Sequence, residues 1–314
     1  MSFSSETKNE LARVYPEKKC CQLAEIAGFL RVSGSIRLAG GGRFKIVITT
    51  ENPAVARHYK KLIKEYFRVD TRLEIGESAS VKKGGYTYML TIGPEMHSEQ
   101  ILRETGILMV REGNNYLSDG IYSSIVRTKC CRKSYLRGIF LGSGSVSDPK
   151  KGYHLEFVCG SEVLARDLRK LINNFEDLSA KTVERKGRYI VYMKNSQYIS
   201  DTLAIMGAHS EVLKMEEVRI EKGLVSEAVR ITNCDTANTD RTLDASQKQL
   251  AAIRKIREKG GMEGLSVKLR DVALIREANP EASLTQIGEM LNPPLKKSGV
   301  NNRMKRIMEY ADKL

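Results

Sequence analysis

No stretch of about 20 apolar residues occurs anywhere in the 314-residue chain, so a membrane-spanning helix is not expected. Residues 1–20 are polar and charged, without the apolar run of a secretory segment, and the sequence reads as cytoplasmic. Histidine is scarce, with four residues set far apart. The six cysteines fall as two adjacent pairs, Cys20-Cys21 and Cys130-Cys131, plus Cys159 and Cys234, and the C-x2-C spacing of zinc sites is missing. In a reducing compartment such thiols read as small buried side chains, so neither metal ligands nor a cofactor are expected. Acids are the minority charge, Asp+Glu 38 against Lys+Arg 52, for a net charge of +14. That excess favours polyanionic partners, nucleic acid before an anionic membrane surface, over a merely well-solvated basic exterior.

What is present is a repeat. Residues 26–36 and 136–146 align without a gap, 110 residues apart, with Gly28 on Gly138, Ser33 on Ser143, Gly34 on Gly144 and Ser35 on Ser145. The adjacent cysteine pairs repeat at the same offset. Two copies are too few for a solenoid and imply one pseudo-symmetric domain made of two related halves. Small residues at four-residue spacing, Ala24 and Gly28 in one copy and Ser134, Gly138 and Gly142 in the other, let two helices approach closely. An interior helical glycine costs about 1 kcal/mol, so matched glycines need a packing reason. The predicted reason is a seam between the halves.

Ser4-Ser5-Glu6-Thr7 offers an N-cap for a short first helix through Val14, before Pro16. The repeated helix runs over 20–32 and stops at Ser33-Gly34. A strand follows at 44–48, then a helix at 57–67, strands at 71–75 and 86–92 around a flexible connection over 76–85, and a helix at 98–108. The second half repeats the order: strand 153–158, helix 163–175, strands 181–184 and 188–193, helix 197–206. The strand after each leading motif needs a hairpin partner that the pattern does not reveal. Beyond residue 209 strand patterns vanish, and helices are expected at 213–231, 245–258 and 269–277, the last ended by Asn279-Pro280. The expected division is an N-terminal helix at 1–19, halves at 20–118 and 128–212, a linker or helix at 213–228, and a helical domain at 229–314.

The stretch Ala27-Gly-Phe-Leu-Arg-Val-Ser-Gly-Ser35 resembles the LAGLIDADG motif of homing endonucleases. The resemblance implies an α+β saddle domain of two αβαββα-type halves, with two such helices at a pseudo-two-fold axis above the sheet. In those nucleases an Asp or Glu precedes the final glycine in each half and holds divalent metal at the scissile phosphates. Here both positions are serine, Ser33 and Ser143. Hard divalent ions want carboxylates, and a neutral hydroxyl is a weak substitute. The first acid after Ser143 is Asp148, beyond the helix in a turn with Pro149, and nothing else replaces the missing ligands. A nuclease scaffold without catalytic residues is therefore expected, with Ser33 and Ser143 satisfying backbone groups at helix ends.

Ser283-Leu-Thr-Gln286 reads as a capping box opening a short helix, with Leu284, Ile287 and Leu291 apolar and Asn292-Pro-Pro294 as the stop. Lys296 and Lys297 lead into a second helix capped by Ser298, with Val300, Met304 and Ile307 on one face. Asn301, Asn302, Arg303, Lys305 and Arg306 occupy the other faces, and no acid lies between Lys296 and Arg306. This is a helix-turn-helix pattern over 283–314, whose second helix would enter the major groove. The candidate DNA contacts are Thr285, Gln286, Lys296, Lys297, Ser298, Gly299, Asn301, Asn302, Arg303, Lys305 and Arg306. Asn suits adenine, Arg suits guanine and Lys suits phosphate. The bland alternative is a solvated basic helical hairpin.

The two domains together, with Lys297-Ser-Gly-Val-Asn-Asn-Arg303, the opening Ser2-Phe-Ser-Ser-Glu-Thr-Lys8 and Asn233-Cys-Asp-Thr-Ala-Asn238, resemble the WhiA family over essentially the whole chain. The resemblance implies a nucleoid-associated regulator of sporulation in filamentous actinobacteria, and a role in cell division and chromosome segregation in Gram-positive bacteria. The expected partner is double-stranded DNA, with RNA polymerase or a sigma factor as a further partner. The competing readings are a protein-interaction module acting on RNA polymerase or the division machinery, and an active homing endonuclease. Arg57, Lys60, Lys61, Lys64, Arg68 and Arg72 suit DNA if they line an open sheet face.

Overall fold

In the computed structural model, which describes residues 1–77 and 85–314, the chain forms two compact units, Met1–Glu221 and Lys222–Leu314. The connection expected over 76–85 lies for the most part outside the described residues.

The N-terminal unit opens with α1 (Phe3–Leu11), capped by the Ser2 hydroxyl rather than within Ser4–Thr7. Its first half is α2 (Lys19–Ser33), β1 (Gly34–Leu38), β2 (Phe44–Thr50), α3 (Pro53–Phe67), β3 (Arg72–Glu77), β4 (Tyr86–Ile92) and α4 (Ser98–Glu104). A small hairpin, β5 (Leu108–Arg111) with β6 (Asn114–Leu117), leads on. The second half is α5 (Lys129–Ser143), β7 (Gly144–Val146), β8 (Leu155–Cys159), α6 (Glu162–Asn173), β9 (Lys181–Arg185), β10 (Arg188–Met193) and α7 (Ser196–Met206). Each half thus carries one strand more than the pattern shows. β1 and β7 are the hidden hairpin partners, and they start on the very residue after the seam helix ends, so no turn separates them from it. The helix expected to reach residue 108 stops at Glu104, and Leu108 opens β5.

The halves build matching antiparallel sheets, β1-β2-β4-β3 and β7-β8-β10-β9. Alternation fixes their faces. Ile46, Ile48, Leu90 and Ile92 point inward in the first sheet, as Leu155, Phe157, Val191 and Met193 do in the second. Onto these inner faces pack the amphipathic helices α3, through Val55, Tyr59, Leu62 and Ile63, and α6, through Leu164, Leu168 and Ile172. Asn52 caps α3 ahead of Pro53 at its first turn, and Ser161 caps α6. Among the described residues the other face of each sheet carries no side chain of this core, although Val47 and Thr91 are buried on the first. The cysteines do not follow the expectation of uniform burial: Cys21, Cys131 and Cys159 are buried, Cys130 is half-buried, and Cys20 and Cys234 are exposed.

A single helix, α8 (His209–Glu258), replaces the two expected at 213–231 and 245–258. The polar stretch between them does not break it. Thr232, Thr236, Thr239 and Thr242 each donate a hydroxyl to the carbonyl four residues back, which satisfies them within a helix. The C-terminal unit comprises the later turns of α8 with α9 (Val267–Ala278), α10 (Leu284–Met290) and α11 (Lys297–Lys313). Ile253, Ile256, Val272, Ile287, Val300, Met304 and Ile307 form its core. Among the described residues no helix is long and apolar enough to cross a membrane.

Candidate nucleic-acid interface

In the C-terminal unit α10 is held by the capping box read from the sequence. Ser283 Oγ accepts from Gln286 N–H at 3.3 Å, and Gln286 Oε1 accepts from Ser283 N–H at 2.8 Å. The turn then folds back tightly. Leu295 N–H donates to Gly288 O at 2.8 Å, and a Cβ on Gly288 would fall on the Leu295 carbonyl oxygen. Gly288 thus makes the helix-turn-helix corner possible, a role its one-letter surroundings do not signal.

A buried arginine fixes the entry to α10. Arg276 on α9 is 1% exposed, and its guanidinium donates to Gln249 Oε1 on α8 at 3.0 Å and to Ala282 O at 2.5 Å. No carboxylate pairs with it among the described residues, and burial lowers its pKa from the usual arginine value. Amide and carbonyl oxygens take the place of an acid.

Val300, Met304, Ile307 and Ala311 turn α11 inward. Ser298, Asn302, Lys305 and Arg306 are exposed, and at 100° per residue they lie on the side opposite that apolar stripe. Asn301 and Arg303 sit half-buried on its flanks, and Arg303 donates to Lys268 O on α9 at 3.4 Å. Lys296 and Lys297 are exposed at the start of the helix, and Thr285 and Gln286 are exposed on α10. One expectation changes. Ser298 does not cap α11: the N-cap is Lys296, with no side-chain hydrogen bond among the described residues. Gly299 faces the turn, where an added Cβ would strike the Leu295 side chain.

In the N-terminal unit α2 and α5 lie against each other. Ala24 is fully buried, and a Cβ on Gly28 would meet the Tyr135 carbonyl oxygen, while one on Gly138 would meet that of Glu25. Gly142 faces Ser33 Oγ and Val32, and Ser134 is buried beside Arg137. The seam also holds a buried ion pair invisible to small-residue spacing. Arg137 donates to Glu25 Oε2 through Nε at 2.9 Å and Nη2 at 2.5 Å, and to Met206 O at 2.9 Å, while His58 Nε2 lies 2.7 Å from Glu25 Oε1.

Ser33 and Ser143 end the two seam helices, but their hydroxyls satisfy no backbone group: neither has a hydrogen-bond partner among the described residues. One acid does bond within β7, two residues beyond Ser143. Glu156 accepts from Ser145 Oγ at 3.2 Å and lies 3.1 Å from His154 Nε2, whereas the residue in its register position in the other half is Val47, paired with Ser35. Asp148 is spent on its own turn, accepting from Lys150 N–H at 2.9 Å.

The basic residues picked from the sequence do not line an open sheet face, apart from Arg72. Arg57, Lys60, Lys61 and Lys64 belong to α3 and Arg68 to its C-cap, on the core side of the sheet. Lys60 and Lys64 neighbour Asp70, and Lys61 neighbours Glu65. The open faces carry other cations. Register places Arg37, Lys45 and Arg72 on the first, with Glu74, and Lys181, Arg185 and Arg188 on the second, with Glu156. Period-two reading of the strands could have found Lys45 and Arg188, but Arg37 sits on a strand that has no sequence signature.

Family models match three consecutive segments of the chain: the WhiA N-terminal LAGLIDADG-like domain over residues 19–108, the WhiA LAGLIDADG-like domain over 132–224, and the WhiA C-terminal HTH domain over 228–311. The chain belongs to the WhiA family. It is 44% identical over 313 residues to the probable cell division protein WhiA of Alkaliphilus metalliredigens, covering 100% of this chain and 98% of that one. To the protein of the same name from Alkaliphilus oremlandii it is 45% identical over 316 residues, with the same coverage. Among solved structures it is similar to full-length DUF199/WhiA from Thermatoga maritima, at 26% identity and a TM-score of 0.61, covering 100% of this chain and 99% of that one. The WhiA assignment fixes the fold as two LAGLIDADG-like halves followed by a helix-turn-helix region, and ties the chain to relatives named for cell division.

Proposed function

We propose that this WhiA chain is a sequence-specific DNA-binding regulator acting in cell division, as its relatives are named. The reading rests on one observation, the outward face of α11. Ser298, Asn302, Lys305 and Arg306 stand exposed on a helix anchored by its opposite stripe, at the second position of a helix-turn-helix. Amide and guanidinium groups so placed match adenine and guanine edges in the major groove, and Lys296, Lys297 and Lys305 match flanking phosphates. The cations on the two open sheet faces add a second surface that follows a phosphate backbone without reading sequence. We further propose that the chain cleaves no DNA, because the seam helices end on hydroxyls where a two-metal phosphodiester centre wants a carboxylate from each half.

The test is a gel-shift of labelled genomic fragments with the full chain, in Mg²⁺, with denaturing lanes alongside. Selective retardation without nicks is expected. Asn302→Ala or Arg306→Ala should each lose about 1–3 kcal/mol of that binding and relax selectivity at one base position. Selective binding unchanged in the Asn302→Ala/Arg306→Ala double variant would remove α11 as the reader, and nicked strands would restore a nuclease.

A further inference from the structure

We propose that Cys20, Cys21, Cys130 and Cys131 form a tetrathiolate zinc site that ties the N-terminal ends of the two seam helices together across the pseudo-two-fold axis. Their four sulfur atoms all lie within 4.8 Å of one another. A tetrahedral Zn²⁺ with Zn–S distances of about 2.3 Å needs sulfurs about 3.8 Å apart, so closure around the ion asks for rotamer adjustments of about an ångström. The C-x2-C rule fails here because it describes ligands from a single loop. In this chain the adjacent pair of α2 and the adjacent pair of α5 come together only through the seam.

Three further features favour metal over four idle thiols. Of the two seam helices, only Lys-Cys-Cys at the start, one glycine, and the closing serines and glycine are identical between the copies. The glycines have packing reasons, since an added Cβ at Gly28, Gly34, Gly138 or Gly144 would strike neighbouring atoms. Cys20, exposed to solvent, has none in the core. Cations outnumber acids around the four, Lys18, Lys19, Arg127 and Lys129 against Glu17 and Glu104, and neither helix has an acid in its first turn. A tetrathiolate zinc centre carries net negative charge, which these lysines and the two helix N-termini offset. Access also exists, since Cys20 and Cys131 line an open cleft with Glu104, Tyr122 and Arg127. Zinc is preferred to harder ions because all four donors are soft sulfurs in a tetrahedral set. Each thiol binds as thiolate and releases its proton to solvent, so metal loading acidifies an unbuffered solution.

The experiment uses the full chain, purified under reducing conditions and stripped of metal. Its reduced form is titrated with Zn²⁺ against a chromophoric chelator and, separately, with Co²⁺. One equivalent of zinc per chain and the strong visible bands of tetrahedral cobalt with sulfur-to-metal charge transfer are expected. Both should vanish in Cys20→Ser/Cys130→Ser, whose sites are not in the closed core and whose fold is checked by circular dichroism. Cys234→Ser should bind as the parent does. Failure of the reduced parent to take up either ion, or the same cobalt spectrum in the double variant, would overturn the site. An iron chromophore or a stable disulfide that persists in place of zinc uptake would overturn it as well.

Discussion

The two halves of the N-terminal unit share a fold and differ in chemistry where they meet. At matched repeat positions α2 carries Glu25 and α5 carries Tyr135, while Ala27 of α2 is matched by Arg137 of α5. Glu25 and Arg137 find each other across the seam, with His58 and Met206 O completing the set. Tyr135, 1% exposed, is pushed up to about 12 by burial, with Arg31 beside it pulling the other way. Paired with a copy of itself, either helix would bury two like charges and lose the Glu25–Arg137 pair. Identical positions in the repeat thus describe the axis, and reciprocally different ones make each half the specific partner of the other.

Cutting one partner of that ion pair should give the largest effect. Arg137→Leu leaves Glu25 buried against one histidine, with an expected loss of about 3–5 kcal/mol. The Glu25→Leu/Arg137→Leu double variant should lose clearly less than the sum of the two singles, because apolar replacement removes both buried charges. Urea unfolding of the full chain, followed by a probe in the N-terminal unit, gives the coupling. Strict additivity would mean the halves are not matched by this pair.

The glycines rank next. Gly28→Ala and Gly138→Ala push a methyl into a backbone carbonyl of the opposite helix, which cannot step aside, and should cost about 1–3 kcal/mol each. Gly142→Ala meets the Ser33 and Val32 side chains, which can, and should cost less. Equal losses at all three would mean that the seam relaxes as a whole.

The helices of this seam were legible in the sequence because their small residues recur at helical spacing in both copies. So was the helix-turn-helix, through Ser283, Gln286 and the prolines after it. What was hidden has local reasons. β1 and β7 follow their helices without a turn, so nothing in the local pattern marks where either strand begins. The threonines of α8 mimic a loop. Glu25 and Arg137 lie 112 residues apart in the chain and the two cysteine pairs 110, and each set meets only through tertiary packing.

The open faces offer a comparison in function. Arg37→Ala/Lys45→Ala tests the first sheet and Arg185→Ala/Arg188→Ala the second. If both sheets follow a DNA backbone, each double variant should weaken binding across all sequences and lower the salt slope by about 1 per cation removed. An effect confined to one pair would make that half the sole backbone contact, and no effect in either would leave binding to the C-terminal unit.

The smallest effect should come at the positions that look most like a catalytic site. Ser33 and Ser143 have buried hydroxyls without a hydrogen-bond partner among the described residues, so removing the oxygen takes away a desolvated group and breaks no bond. Ser33→Ala and Ser143→Ala should therefore each leave stability within about 0.5 kcal/mol of the parent or raise it slightly. The halves should also behave alike here, since Glu156 in the second half bonds to Ser145 and not to Ser143. A loss of more than about 1 kcal/mol at either position would mean that its hydroxyl does hold a partner, at the scale of a typical hydrogen bond. If the loss fell at Ser143 alone, Glu156 would be the first group to suspect, and the second half would then keep a remnant of polar chemistry at its helix end that the first half lacks.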